Sequence, residues 1–193
     1  QKSGVTGVPS GFTDLDRVTA GWQKSDLIII AARPGMGKTA FVLSLARNAA
    51  VQFNKPIAFF SLEMSSIQLV NRLVSSETEI DTEKLKKGRL ESHEWQQLNM
   101  RVSPLTNAPI YIDDTPALSV FELRAKCRRL AAEKKIEMVI IDYLQLMVGG
   151  QDNNKNGNRE QEISHISRSL KGIAKELNIP IIALSQLSRN VEK

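Results

Sequence analysis

The sequence predicts an α/β protein with a mainly parallel central sheet and helices on both faces. Short apolar runs alternate along the chain with longer segments of helical periodicity, which is the pattern of parallel strands connected by helices. The runs are continuously apolar, as in strands that are covered on both sides. The first run leads into a glycine-rich loop and a helix, so we expect a ligand at the carboxyl edge of the sheet.

The composition is that of one globular domain. The chain has 193 residues, of which 41% are hydrophobic and 24% charged, and its net charge is +5. This charge is compatible with a polyanionic partner but does not by itself indicate one. No signal peptide or transmembrane run is visible, and Cys127, the single cysteine, cannot form an internal disulfide. We therefore expect a cytoplasmic protein without a membrane partner.

The first residues show no periodic pattern. Residues 1–11 are rich in glycine, serine and proline, and we interpret them as the remnant of a linker before a core domain at residues 12–193. Four apolar residues have a spacing at which they could pack on one side of a helix: Phe12, Leu15, Val18 and Trp22.

The loop after the first strand carries the strongest functional signal. Residues 27–32, LIIIAA, predict a buried strand. Residues 33–39, RPGMGKT, fit the phosphate-binding pattern G-x-x-x-x-G-K-[ST], except that Ala32 stands where the first glycine is expected. The position of this motif between a strand and a helix is the context that the pattern requires.

Each residue type in this loop has a physical reason. Gly35 and Gly37 let the backbone turn tightly, so that its N–H groups point at phosphate oxygens. Lys38 places a positive charge on the β- and γ-phosphates, and Thr39 offers a hydroxyl to Mg²⁺. The helix predicted at residues 38–52 directs the positive end of its dipole at the same phosphates. The predicted nucleoside triphosphate site consists of Arg33, Pro34, Gly35, Met36, Gly37, Lys38, Thr39 and Ala40.

The remaining elements continue the alternation of strands and helices. Further strands are expected at residues 57–62, 110–112, 138–141 and 181–184. Two of the intervening helices begin with capping boxes, which are formed by Ser65 with Gln68 and by Ser119 with Glu122. The last helix is expected at residues 159–177, where apolar residues recur in steps of three and four.

Two segments are less regular. Residues 77–103 are charged and loosely periodic, and we expect short helices there around Leu85 and Trp95. Residues 149–158, GGQDNNKNGN, cannot pack and are expected to form a mobile loop.

Hydrolysis of a nucleotide also requires a carboxylate for the metal shell, close to the phosphates. Two predicted strands end in aspartate, Asp142 and Asp113. Asp113 is followed by Asp114 and Thr115, and turn formation and helix capping explain this cluster well. We therefore assign the Mg²⁺ site to Asp142 together with Thr39, with Asp142 acting through water.

A general base is needed as well. Many nucleotide hydrolases carry a glutamate directly after the Mg²⁺ aspartate, but Tyr143 stands there. Glu63, at the tip of the second strand, is the best candidate. The alternative interpretation is an acid that is favourable near the N-terminus of the following helix.

Three other features each allow two interpretations. Gln186, at the end of the last strand, could bond the γ-phosphate or be an ordinary polar residue, and the residues alone do not decide. The basic run at residues 124–129 is interpreted as the solvated flank of an amphipathic helix; the alternative is a surface that faces a neighbouring subunit or nucleic acid. The loop at residues 149–158, with Lys155 and Arg159, is the better candidate for contact with nucleic acid.

Several stretches together resemble one family of ATPases. GFTDLD at residues 11–16 and AARPGMGKT at residues 31–39 resemble the start of RecA-like ATPases. FSLEM at 60–64, IDYLQLM at 141–147 and ALSQLSRNVE at 183–192 are similar to the C-terminal motor domain of bacterial replicative DNA helicases of the DnaB family. The resemblance extends over essentially the whole chain.

This resemblance implies a RecA-like P-loop fold and a motor function. The family forms homo-hexameric rings around single-stranded DNA, binds ATP between neighbouring subunits, and uses hydrolysis to translocate and unwind duplex. The full-length proteins also engage primase and a helicase loader. By matching position, Lys38 and Thr39 hold the phosphates and Mg²⁺, and Asp142 completes the metal shell. Glu63 then activates water, and Gln186 senses the γ-phosphate, so that Lys38, Glu63 and Gln186 form the catalytic set.

The family pattern continues beyond the position of residue 193. Its later motifs include basic residues that reach into the ATP site of the neighbouring subunit, and we expect the core to be truncated at its C-terminal end. The 193 residues alone are therefore expected to bind ATP but to hydrolyse it weakly.

Two other functions are considered. A RecA- or RadA-like recombination or repair ATPase shares the fold, but the stretches SLEM and IDYLQLM weigh against it. An ATP-gated switch or loader protein belongs to another class. Loaders of the AAA+ type usually show an acidic pair after the Mg²⁺ strand, whereas Asp142 is followed by Tyr143.

Overall fold

The structure is a computed structural model that describes residues 4–148 and 159–187. Its described strands form one parallel sheet in the order β1-β5-β4-β2-β3. The strands are β1 (Leu27–Ala32), β2 (Ile57–Ser61), β3 (Ile110–Asp113), β4 (Met138–Asp142) and β5 (Ile181–Gln186). The predicted parallel α/β architecture is confirmed.

Helices connect these strands. They are α1 (Thr13–Thr19), α2 (Lys38–Arg47), α3 (Ser66–Thr78), α4 (Thr82–Lys87), α5 (Ser92–Arg101), α6 (Ser103–Thr106), α7 (Val120–Lys134) and α8 (Arg159–Leu177). A π-helical turn, Asn48–Gln52, continues α2, and a 3-10 turn, Leu144–Leu146, follows β4. The expected helices around Leu85 and Trp95 are α4 and α5. None of the described helices is long and apolar enough to span a membrane.

The core consists of two layers, one on each face of the sheet. Phe60 and Ile141 point into a cluster with apolar residues of α7 and α8. Phe59 and Ile140, one residue earlier on the same strands, point into a second cluster with residues of α2 and α3. Successive side chains of a strand face opposite sides, so continuously apolar strands require cover on both. This confirms helices on both faces of the sheet.

Both capping boxes predicted from the sequence are present. The Ser65 side chain accepts from the N–H of Gln68, whose side chain accepts in turn from the N–H of Ser65. Ser119 and Glu122 make the same reciprocal pair at the start of α7. These local signals act within four residues, which explains why sequence alone identifies them.

Two packing predictions near the N-terminus are wrong. β1 is an outer strand of the described sheet, so it is only partly buried, and Ile29 is 44% exposed. α1 ends at Thr19, because Ala20 adopts a left-handed conformation with φ of 56°. Val18, on α1, is 85% exposed, and Trp22 lies outside the helix, where it pairs with Val8.

Part of the predicted linker segment lies against the domain. Val8 is 6% exposed, and the buried Ser10 donates its backbone N–H to Oδ1 of Asp16 at 2.8 Å. These contacts associate Val8 and Ser10 with the core. The division into a linker remnant at residues 1–11 and a core at residues 12–193 stays a prediction.

Candidate functional site

The loop between β1 and α2 has the backbone shape that phosphate binding requires. Gly35 and Gly37 both have φ of +77°, a conformation that side chains with Cβ rarely adopt. A Cβ added at either glycine would meet no atom within 4 Å, so backbone conformation rather than space explains these glycines. Gly37 is the N-cap of α2 and offers no side-chain cap, which leaves the first N–H groups of α2 available to a ligand.

Lys38 lies at the start of α2 with its ammonium folded back on the strand. Its Nζ donates to the carbonyl oxygen of Ala32 at 2.9 Å. The same oxygen accepts from the N–H of Leu187 at 3.1 Å. The end of β5 is therefore held next to the lysine of the loop. Arg33, Pro34, Met36 and Ala40 are exposed around this loop.

Thr39 and Asp142 meet behind the loop. The hydroxyl of Thr39 donates to Oδ2 of Asp142 at 2.8 Å, although β5 separates β1 from β4 in the sheet. Asp142 is 1% exposed, and burial raises the pKa of its carboxyl. The hydrogen bond from Thr39 opposes this rise in pKa, the charge of Glu63 adds to it, and the charge of Lys38 opposes it.

This pair of oxygens suits Mg²⁺. A hydroxyl and a carboxylate are the hard oxygen donors that this ion prefers. Within residues 4–148 and 159–187, no group of three or more His, Cys, Asp or Glu side chains could hold a metal. An ion at this site would therefore take further ligands from phosphates and water, which is the usual arrangement for Mg²⁺.

Glu63 is exposed in the turn between β2 and α3, and its charge acts on Asp142. Two contacts position this turn. The N–H of Leu62 donates to the carbonyl oxygen of Asp142 at 2.8 Å. The buried hydroxyl of Ser61 donates to the carbonyl oxygen of Met64 at 2.7 Å and accepts from its N–H at 3.2 Å. Glu63 thus lies between two anchored residues, in the turn two residues after the end of β2 rather than at the strand tip that the sequence predicted.

Gln186 ends β5 in register with Ala32, the first position of the loop motif. Its backbone is bonded to the side chain of Gln145, in the 3-10 turn after β4. Neither Gln145 nor Ser61 was predicted from the sequence to belong to the site. A polar residue between apolar neighbours, as in Leu144-Gln145-Leu146, was the available signal for Gln145.

The other aspartate considered from the sequence lies away from the loop. Asp113 ends β3, an outer strand that three strands separate from β1. Burial favours a higher pKa for Asp113, but hydrogen bonds from Lys126 and Thr115 outweigh it, so the pKa is lowered. Its Oδ2 accepts from Nζ of Lys126 at 2.6 Å. Asp114 accepts from the N–H of Ser66 at 2.8 Å. These partners give both aspartates structural contacts.

The candidate nucleic-acid contacts are only partly visible. Residues 149–158, with Lys155, lie outside the described residues. The guanidinium of Arg159 donates to Glu162 and to the carbonyl oxygen of Gln145. In the basic run at residues 124–129, Nε of Arg128 donates to Glu176 at 2.7 Å, as expected for the flank of a packed helix.

Comparison with known proteins gives one consistent result. The family model for the DnaB-like helicase C terminal domain matches residues 7–193. The replicative DNA helicase DnaB of Geobacillus stearothermophilus is 54% identical over 189 residues, which are 98% of this chain and 41% of that protein. The replicative DNA helicase DnaC of Bacillus subtilis is 52% identical over 193 residues, which are 100% of this chain and 42% of that protein.

Two solved structures are similar to this chain in fold and in sequence. A DnaB-like replicative helicase, described with its interactions with primase, superposes with a TM-score of 0.86 at 41% identity, covering 97% of this chain and 45% of that one. A solved ATPase domain gives a TM-score of 0.88 at 40% identity over 99% of this chain and 68% of that one. The chain thus spans about two fifths of the length of the curated relatives described above.

Proposed function

The chain belongs to the DnaB-like helicase C-terminal domain family, and from this membership we propose that it is the ATP-hydrolysing motor domain of a replicative DNA helicase. The observation that carries the proposal is the 2.8 Å contact between Thr39 and Asp142. It joins a phosphate-binding loop to a buried carboxylate, the two parts that a nucleotide hydrolase needs around its metal.

Different residues of the site are proposed to bind the ATP phosphates and Mg²⁺. The N–H groups at the start of α2 and the ammonium of Lys38 bind the ATP phosphates, since they are the donors that surround the loop. Lys38 exchanges its bond to the Ala32 carbonyl for a charge-assisted bond to a phosphate, which is the stronger interaction. Thr39 and, through water, Asp142 would hold Mg²⁺, which would neutralise phosphate charge.

Glu63 is proposed as the general base. Its turn lies beside Asp142, and its carboxylate is exposed at the sheet edge, where it can accept a proton from a water molecule. Ser61 and Leu62 fix the backbone of the turn from which the Glu63 side chain extends. Gln186, next to Ala32, is proposed to bond the γ-phosphate through its side-chain amide.

The open side of the site supports a subunit interface. Glu63 and the loop residues are exposed, and Met36 is 71% exposed beside the proposed phosphate site. A homo-hexameric ring in which a neighbouring subunit covers this site, around single-stranded DNA, is the assembly that we propose. Contacts of the full-length protein with primase and a loader are part of the same proposal; one structural neighbour was described with its interactions with primase.

A cytoplasmic location is also retained as a proposal. Cys127 is fully buried in the core, and burial raises the pKa of its thiol to about 12. It is a packed, unreactive thiol, as expected for a protein in a reducing compartment.

Strand separation by the full-length protein tests the motor function. A forked DNA duplex with one labelled strand is incubated with ATP, with a non-hydrolysable ATP analogue, or without nucleotide. We expect separation with ATP alone, and its loss in a Lys38→Ala variant. ATP hydrolysis that is indifferent to DNA, with no strand separation, would contradict the proposal and favour an ATP switch.

A further inference from the structure

Among the strands of residues 4–148 and 159–187, only β1 flanks the end of β5. β1 accompanies β5 to its end, with Ala31 opposite Ser185 and Ala32 opposite Gln186. On the other side, the pairing of β4 with β5 stops at Ala183. Backbone groups at the end of a strand without a neighbour are poorly fixed unless another group bonds them. Gln186, the proposed γ-phosphate sensor, lies in this half-paired stretch.

The side chain of Gln145 takes the position that the missing strand would occupy. Its Oε1 accepts from the N–H of Gln186 at 3.1 Å. Its Nε2 donates to the carbonyl oxygen of Gln186 at 3.1 Å and to Oγ of Ser185 at 2.9 Å. A carboxamide carries one acceptor and two donors and so can reproduce the bonds of a peptide group. Here one side chain bonds both backbone groups of Gln186.

Gln145 is itself held in place. It lies in the 3-10 turn that directly follows β4, and the nearby residues Leu144 and Met147 are each 2% exposed. The guanidinium of Arg159 donates to its backbone carbonyl. The amide therefore bonds Gln186 from a rigid base rather than from a free loop.

These contacts connect the two sides of the nucleotide site. Gln145 is three residues after Asp142, the proposed metal-shell carboxylate, and bonds Gln186, which lies beside Ala32 and Lys38. We infer that Gln145 is a positioning residue that holds Gln186 in reach of the bound nucleotide, so that hydrolysis depends on Gln145 although it does not contact the substrate. This inference rests on the proposed function.

The test compares Gln145→Ala with wild type in the full-length protein. We expect kcat for ATP hydrolysis to fall about 10-fold, as for the loss of hydrogen bonds of ordinary strength, while ATP affinity changes by less than about twofold. Gln96→Ala removes an exposed glutamine on α5 and serves as the matched control, with unchanged kcat.

A double-mutant cycle separates positioning from a merely structural role. If Gln145 acts through Gln186, then Gln145→Ala should change kcat by less than about twofold in a protein that already carries Gln186→Ala. A Gln145→Glu variant keeps the length and the acceptor for the N–H of Gln186 but sets a carboxylate oxygen against its carbonyl. We expect Gln145→Glu to reduce kcat as much as Gln145→Ala does. If the alanine variant does not fold, the glutamate variant is used in its place.

The outcomes distinguish this inference from the proposed function. If the wild-type protein is active and both Gln145 variants hydrolyse ATP with the same kcat, the inference is overturned and the proposed function is left intact. An equal loss with and without Gln186 would also overturn it, because the effect would not act through Gln186. A full-length wild-type protein that does not hydrolyse ATP would overturn the proposed function together with the inference.

Discussion

The hydroxyl of Thr39 donates a 2.8 Å hydrogen bond to Oδ2 of Asp142, a residue 103 positions further along the chain. Thr39 is in the first turn of α2, and Asp142 is the last residue of β4. The two come together because parallel strands end at the same edge of the sheet, on either side of β5. The fold therefore brings a phosphate-binding helix and a buried carboxylate into direct contact.

The first prediction concerns the metal. Asp142→Asn should raise the Mg²⁺ concentration that gives half-maximal ATP hydrolysis by about 10- to 100-fold, because the acid is expected to hold the ion through water. A Mg²⁺ titration of the ATPase rate measures this. Asp113→Asn is the matched control, since Asp113 pairs with Lys126 at the far strand. An equal effect of both substitutions would contradict the assignment of the metal site to Asp142.

The second prediction concerns pH. Burial raises the pKa of Asp142 in the folded protein, with the Glu63 charge adding to the rise. A carboxyl with a raised folded pKa stabilises the fold when it is protonated, below its unfolded pKa, and this contribution is lost as pH rises through the folded pKa. Asp142→Asn should therefore melt at a higher temperature than wild type at neutral pH, without nucleotide.

Thermal melting over a range of pH checks this sign. The difference between Asp142→Asn and wild type should shrink as pH falls through the folded pKa of Asp142. In a domain of this size, each kcal/mol corresponds to about 2–4 °C in Tm. A variant that is less stable than wild type at neutral pH would contradict this prediction and show that the hydrogen bond from Thr39 and the charge of Lys38 outweigh the cost of burial.

The third prediction concerns nucleotide binding. Lys38→Ala should weaken ATP binding by about 10- to 100-fold, the range expected for losing a charge-assisted hydrogen bond. Binding of a fluorescent ATP analogue measures the affinity. Lys86→Ala, on an exposed position of α4, should leave the affinity unchanged. Unaltered binding by the Lys38 variant would exclude the lysine from the phosphate site.

The fourth prediction concerns the turn that carries Glu63. Ser61→Ala removes both hydrogen bonds to Met64, so the turn loses its anchor and kcat should fall about 10-fold with little change in ATP affinity. Steady-state kinetics separates the two effects. Ser119→Ala, which removes a helix cap on α7, should instead cost about 1 kcal/mol of stability and leave kcat unchanged. Equal kinetic losses in both variants would argue against a specific role of Ser61.

Local sequence signals predicted most of the fold. Continuous apolar runs located β2 and β4 to within about one residue, because these strands are central and buried on both faces. The capping boxes at Ser65 and Ser119 were predicted correctly because each is formed by residues within four positions of one another. The exposure of Ile29 was not predictable, since it depends on β1 being an outer strand of the sheet formed by the described residues, and strand order is a property of the whole sheet.

The residues of the candidate site also fall into those that the local sequence predicts and those that it does not. The loop motif and the ends of two predicted strands were enough to predict Lys38, Thr39 and Asp142 as site residues, because the carboxyl ends of parallel strands lie at the same edge of the sheet. The bonds of Gln145 to Gln186 join residues 41 positions apart, and nothing in either local sequence specifies the partner.

The rate of ATP hydrolysis with and without single-stranded DNA tests the motor proposal most directly, measured on the full-length protein beside its Glu63→Ala variant. We expect DNA to raise the wild-type rate, and the variant to lose activity by about 10²- to 10⁴-fold while it still binds ATP. A wild-type rate that ignores DNA would contradict the translocase. Normal hydrolysis by the variant would show that Glu63 is not the general base.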